Sequence, residues 1–286
     1  MASVEPVVWR RGDAEYPGSL EELPDPPAVL YAIGDSDMLR PPIVSIVGTR
    51  EPTAYGLRMT RAIAGALVSA GVSIVSGMAR GIDSAAHRAA LEAGGRTVAV
   101  LGTGIDVPYP VGNRQLHQLL GEKALVLSEN PPGTHAKQGA FPKRNRIIAA
   151  LAPATIVIEA GRQSGALNTA KHAKGLNRDV GGVPGPIDSP QSVGVNSLIR
   201  DGGATIITDV LDAFTLLELS PRPRVRDPEL SDRDRVVWQA LAGDGMDVDA
   251  LSTRSNLPAQ ECLAAVTSLE LMGMVECLLT GEVRRR

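Results

Sequence analysis

The sequence predicts an α/β protein: a Rossmann-like, doubly wound, mostly parallel sheet followed by a small winged-helix domain. Three observations predict it. Short β-branched or aliphatic runs recur from Ile43 onward, and helix-period segments closed by turn residues lie between them. Composition agrees, because aromatic residues make up only 3% while 30 glycines and 21 prolines are present. The core is therefore aliphatic and the connections are rich in special turns.

Along the chain, residues 1–42 are rich in proline and acidic groups and read as an N-terminal extended arm. The Rossmann-like domain is expected over 43–214. Its strands are Ile43 to Val47, Val72 to Val75, Thr97 to Leu101, Ala124 to Leu127, Thr155 to Ile158 and Ala204 to Ile207, with a weaker one at Asp179 to Val183. Helical patterns separate them at Leu57 to Ala70, Ser84 to Ala93, Asn113 to Leu120, Arg146 to Leu151 and Thr169 to Lys174. Strand alternating with helix predicts parallel pairing. Residues 215–230 carry prolines and alternating charges and read as a linker. Over 231–286, three helices and a hairpin turning at Thr280-Gly281 predict a winged helix.

Charge and cysteine usage narrow the function. Net charge is -3, and residues 221–286 hold nine Arg or Lys against eleven Asp or Glu, so the winged domain is poorly suited to duplex DNA. Cys262 and Cys277, with apolar neighbours and no C-x-x-C pair, read as buried reduced thiols in a cytoplasmic protein. Neither a signal-peptide stretch nor an apolar run of about 18 residues is found.

Positive charge is concentrated rather than spread. Phe141-Pro142-Lys143-Arg144-Asn145-Arg146 places three cations and an amide ahead of an apolar helix start, where free N–H groups and the helix dipole favour an anion. Gly48-Thr49-Arg50 follows the first strand at the edge where doubly wound sheets bind ligands. It is not a dinucleotide fingerprint, since Gly56 follows too late. After the second strand, Asp83 reads as a helix cap, whereas Arg80 is expected to converge with Arg50 on one anion. Ser164, Gly165 and Thr169 either offer donors to phosphate or merely cap a helix. Arg50, Arg80, Lys143, Arg144, Arg146 and Ser164 are thus expected on one polyanion-binding face. No metal-ligand histidine spacing, Walker pattern or G-x-S-x-G elbow accompanies it, and Glu159 at a strand end reads as a loop fixture. The chain reads as a binder without cofactor or metal rather than an enzyme.

Four motifs occur in order: Ile46 to Arg50, Ser76 to Asp83, Phe141 to Ala149 and Glu159 to Leu167. With them the chain resembles the DNA-processing protein A (DprA/Smf) family, over roughly residues 16–214 and again in the winged tail. The resemblance implies a cytoplasmic, dimeric protein that binds and protects single-stranded DNA and loads a RecA-type recombinase during natural transformation. It also implies a pocket of Gly48, Thr49, Arg50, Lys143, Arg144, Asn145, Arg146, Ser164 and Gly165, with Phe141 stacking a base. Gly181-Gly182 departs from the larger apolar residues usual in the family and is expected to weaken its strand. The main rival is a phosphoribohydrolase of the lysine-decarboxylase-like group, but its Pro-Gly-Gly-x-Gly-Thr stretch is absent. A small-nucleotide sensor using the same face is the third reading.

Overall fold

The computed structural model describes residues 5–219, 230–241, 245–272, 274–278 and 281–285. In chain order the first unit runs β1 (Val7–Arg10), β2 (Val29–Gly34), β3 (Ile43–Val47), α1 (Ala54–Ser69), β4 (Ser73–Ser76), α2 (Ile82–Glu92), β5 (Thr97–Leu101), α3 (Arg114–Lys123), β6 (Leu125–Ser128), α4 (Ala140–Leu151), β7 (Ala154–Val157), α5 (Gly165–Gly175), β8 (Asp179–Gly182), α6 (Val193–Arg200), β9 (Thr205–Ile206) and α7 (Val210–Leu216). Its strands form one sheet in the order β1-β2-β6-β5-β4-β3-β7-β8-β9, in which every pair from β6 to β9 is parallel.

The central strands are buried on both faces, which is why they read as continuous apolar runs. In β3, Val44 and Ile46 join the cluster of Ile63 and Leu67 from α1 and Ile82 and Ala86 from α2. Ile43 and Val47 join the opposite cluster with Ile147, Ile148 and Leu151 from α4. Helices therefore cover both faces. The chain leaves β3 in one direction across the sheet and β7 in the other, so the carboxyl ends of these neighbours form the topological switch point.

Residues 7–34 correct the expectation of an arm. They supply β1 and β2, and β2 pairs antiparallel with β6 through Tyr31↔Ser128 and Ala32↔Leu127. Trp9, Tyr16, Leu20 and Leu30 are buried in the main core. Prolines and short apolar pieces hid these strands, because an antiparallel addition at a sheet edge needs no long apolar run. β8 forms despite Gly181 and Gly182. A Cβ on Gly181 would lie 2.4 Å from the Ile207 side chain, and one on Gly182 would lie 2.9 Å from Ile199, so neighbouring residues fill the space the glycines leave.

The expected end of the domain at 214 falls inside α7, whose Phe214 is buried and whose following Leu217 and Leu219 still pack on the core. Most of the expected linker, residues 220–229, lies outside the described residues.

The chain divides into two compact units, and the described residues of the second run from Leu230. The second unit contains α8 (Asp232–Ala240), β10 (Met246–Asp247), α9 (Val248–Ser255), α10 (Ala259–Leu271), β11 (Val275–Cys277) and β12 (Glu282–Arg285), with the strands ordered β10-β12-β11. Val237, Leu241, Leu251, Val266, Leu269 and Val283 make its core. In the hairpin, Thr280 lies outside the described residues, while Gly281 takes φ +86° and donates its N–H to the Leu278 carbonyl at 2.9 Å. Cys262 is buried as expected, but Cys277 is exposed.

Candidate functional site

Two adjoining cavities open at the carboxyl edge of the sheet. The first, about 470 Å³, sits at the switch point and is lined by Gly48, Thr49, Arg50, Asp83, Phe141, Arg144, Asn145, Gln163, Ser164 and Gly165, among others. The second, about 380 Å³, is lined by Arg50, Gly77, Ala79, Arg80, Tyr109, Pro110, Gly112, Phe141 and Arg144. Arg50, Ala79, Phe141 and Arg144 belong to both and form the partition.

Helix α4 explains which of its cations reach the cavities. It starts at Ala140, so the basic cluster lies within its first two turns rather than ahead of it. Pro142 is tolerated there because first-turn N–H groups have no intrahelical partner. Phe141, Arg144, Asn145 and Ile148 then share one face at i, i+3, i+4 and i+7, and all four line the first cavity. Lys143 and Arg146 fall on another face. Arg146, nearly buried, donates Nη2 to Glu129 Oε2 at 2.7 Å and lies 3.8 Å from Asp25, while Lys143 Nζ is 3.3 Å from Glu129. Neither lines either of these two cavities, so the structure does not bring them together with Arg50 and Arg144 there as expected; Arg146 is spent on a nearly buried ion pair, while Lys143 stays exposed beside Glu129.

Arg144 is fixed more firmly than a surface cation. Its Nη1 donates to the Gly77 carbonyl at 2.7 Å and also to the Val100 carbonyl, and Nε donates to Asn145 Oδ1 at 3.3 Å. The side chain approaches this closely only because residue 77 is glycine: a Cβ there would stand 2.5 Å from Arg144 Nη2. Burial, opposed by the Asp83 charge and aided by the Arg50 charge, brings the Arg144 pKa down to about 10, so it remains a cation at neutral pH. Gly102 serves Phe141 in the same way, since a Cβ there would lie 2.8 Å from the ring.

Across the first cavity stands the N-terminus of α5. Ser164 caps it, its hydroxyl oxygen accepting from the Ala166 N–H at 3.3 Å, which leaves the hydroxyl hydrogen for the cavity. Thr169 instead donates back to the Gly165 carbonyl at 3.5 Å, within its own helix. Asn145 Nδ2 donates to the Gly165 carbonyl at 3.2 Å and to Asn168 Oδ1 at 3.3 Å, tying α4 to the start of α5. Gly48 and Thr49 sit opposite. The Thr49 N–H donates to the Glu159 carbonyl at 2.7 Å, and the Glu159 carboxylate accepts from the Thr53 N–H at 2.9 Å. Glu159 thus fixes the loop that carries Arg50.

Three site residues escaped the sequence reading. Asp83 is not the cap of α2; Gly81, at φ +82°, occupies that position, and the Asp83 carboxyl is buried in the wall of the first cavity. Burial raises its pKa, opposed by the Arg144 charge and then by hydrogen bonds from Ala79, Gly77 and Ser76. Gln163, inside the Glu159 to Leu167 motif, and Tyr109, in the loop after β5, carry no charge that would mark either as an anion contact in the sequence. Gly77 and Gly102, each directly after a strand end, mark where Arg144 and Phe141 approach and carry no signal for these three residues. Among the described residues no cluster of three His, Cys, Asp or Glu is arranged to hold a metal ion. No described helix is long and apolar enough to cross a membrane.

Comparison with known proteins agrees with this geometry. The family model described as DNA recombination-mediator protein A matches residues 7–218, and the DprA winged helix domain model matches residues 220–278. Protein Smf from Synechocystis sp. is 48% identical over 201 residues, which are 69% of this chain and 50% of that protein. The X-ray structure of DNA processing protein A from Streptococcus pneumoniae aligns with a TM-score of 0.71 at 40% identity, covering 74% of each chain. A solved structure of DNA processing protein A from Helicobacter pylori, described for its single-stranded DNA binding mode, aligns with a TM-score of 0.66 at 32% identity, covering 71% of this chain and 93% of that one.

Proposed function

Because this chain belongs to the DNA recombination-mediator protein A family, we propose that it binds and protects single-stranded DNA without catalysing a reaction on it. The observation that carries the reading is the convergence of Arg50, Arg80 and Arg144 on two adjoining cavities beside the α5 N-terminus. Cations and helix-terminal N–H groups at one edge suit a phosphate backbone. The relative from Helicobacter pylori, characterised for single-stranded DNA binding, supports the same reading. The strand-end carboxylate Glu159 is engaged with Thr53, which agrees with a positioning rather than an acid-base role. From the resemblance we further propose that a homodimer in the cytoplasm hands the bound strand to a RecA-type recombinase on DNA entering by natural transformation.

The test is the salt dependence of oligothymidylate affinity. Each phosphate contact on a single strand contributes about 0.7 to the slope of log affinity against log salt. Arg50→Ala is expected to weaken binding and reduce the slope by about that amount. A mutant with wild-type affinity and slope would remove the cavities from the DNA path. Release of free base from a nucleoside monophosphate would return the protein to the enzymes.

A further inference from the structure

The second cavity has an aromatic wall that phosphate binding does not use. Phe141 is already engaged: Tyr109 packs on it with ring centroids 4.9 Å apart and a 31° tilt, the Arg50 guanidinium carbon lies 5.6 Å from its centroid, and Gly102 backs its edge. Tyr109 is the free end of this stack. It is 39% exposed, and its hydroxyl makes no hydrogen bond among the described residues.

We propose that the second cavity is a subsite for an unpaired nucleobase, with Tyr109 rather than Phe141 as the surface on which the base stacks. The proposal rests on the single-strand reading above. Arg50, Arg80 and Arg144 surround the cavity, and no carboxylate lines it among the described residues, so the phosphates flanking a seated base meet only positive charge. Tyr109, Pro110, Gly112 and Ala79 supply the apolar contact. The first cavity, with Ser164 and the α5 N-terminus, takes the adjacent phosphate. Because Arg50, Ala79, Phe141 and Arg144 form the wall between the two, base and phosphate sit on opposite sides of one partition. Stacking reads no base identity, so the subsite accepts all four bases.

Wild type, Tyr109→Ala and Tyr109→Phe are compared by fluorescence anisotropy, over a salt series, on oligothymidylate and on an abasic strand of equal length. Wild type is expected to prefer oligothymidylate. Tyr109→Ala is expected to lose about tenfold on oligothymidylate, the lower part of the range for one base on one ring, and nothing on the abasic strand. Its salt slope stays at the wild-type value, and Tyr109→Phe restores the affinity. Equal loss on both strands, or wild-type affinity of Tyr109→Ala for oligothymidylate, overturns the subsite. Wild type binding both strands equally also overturns it while leaving phosphate recognition standing. Wild type binding neither strand at low salt overturns the single-strand reading and this proposal together.

Discussion

Arg144 and Arg146 stand two residues apart and serve opposite ends. Arg144 is held by carbonyls of two strands with one edge toward the cavities, so little side-chain freedom remains to be lost when an anion arrives. Arg146 neutralises Glu129 inside the protein, and its Nε and Nη1 have no hydrogen-bond partner. Arg146→Ala is expected to leave the salt slope of DNA binding unchanged and to cost about 3 kcal/mol of stability in urea unfolding, because Glu129 would stay nearly buried beside only a surface lysine. His87 makes a second prediction. Thr97 Oγ1 donates to the Ile74 carbonyl, so His87 Nδ1 donates to Thr97 at 2.7 Å and Nε2 keeps an unpartnered lone pair. Burial, aided by the Arg144 charge, pushes its pKa from 6.5 down to about 3. Below pH 6.5 the unfolded chain takes up a proton that the folded one refuses, so stability is full above that pH and falls as pH drops toward 3. The slope is at most about 1.4 kcal/mol per pH unit, and His87→Gln should flatten it in urea melts between about pH 7 and pH 5.

At the scale of elements, the packing of strand ends against α4 decides the site. Gly77→Ala is expected to displace Arg144 and cost at least about tenfold in oligonucleotide affinity, with far-ultraviolet dichroism unchanged; an unaltered affinity would mean Arg144 does not touch DNA. Gly102→Ala should act likewise through Phe141. The sequence disclosed most of the parallel strands, β3 and β5 to the residue, because buried β-branched runs bounded by turns leave little choice. It also placed Gly48, Thr49, Arg50, Arg80 and Ser164 at the carboxyl edge. What it concealed followed from one misplaced helix start. With α4 beginning at Arg146, the basic cluster reads as a loop in which every cation is free; with α4 beginning at Ala140, helical period sorts Arg144 into the cavity and Lys143 and Arg146 out of it. Burial of Asp83 was equally hidden, since a polar residue two places after a glycine looks the same whether it caps a helix or faces a guanidinium.

For the whole molecule, charge is a matter of placement rather than sum. A chain of net charge -3 presents three arginines at one sheet edge, so single strands are expected to bind while duplex of equal length competes weakly in a gel shift. Strong duplex binding would instead assign DNA contact to a surface other than these narrow cavities. The segment 7–34 adds a consequence for biosynthesis. Its strands β1 and β2 pair with each other, but they do not join the rest of the sheet until β6, with Tyr31 opposite Ser128, has been made. On the ribosome the earliest residues to emerge therefore wait, for a span of roughly ninety residues, as at best an isolated two-stranded pair whose Trp9, Leu20 and Leu30 have no core to pack on. The left-hand border of the sheet is thus sealed late although it is translated first, and a stalled nascent chain ending before Leu125 would expose it to chaperones.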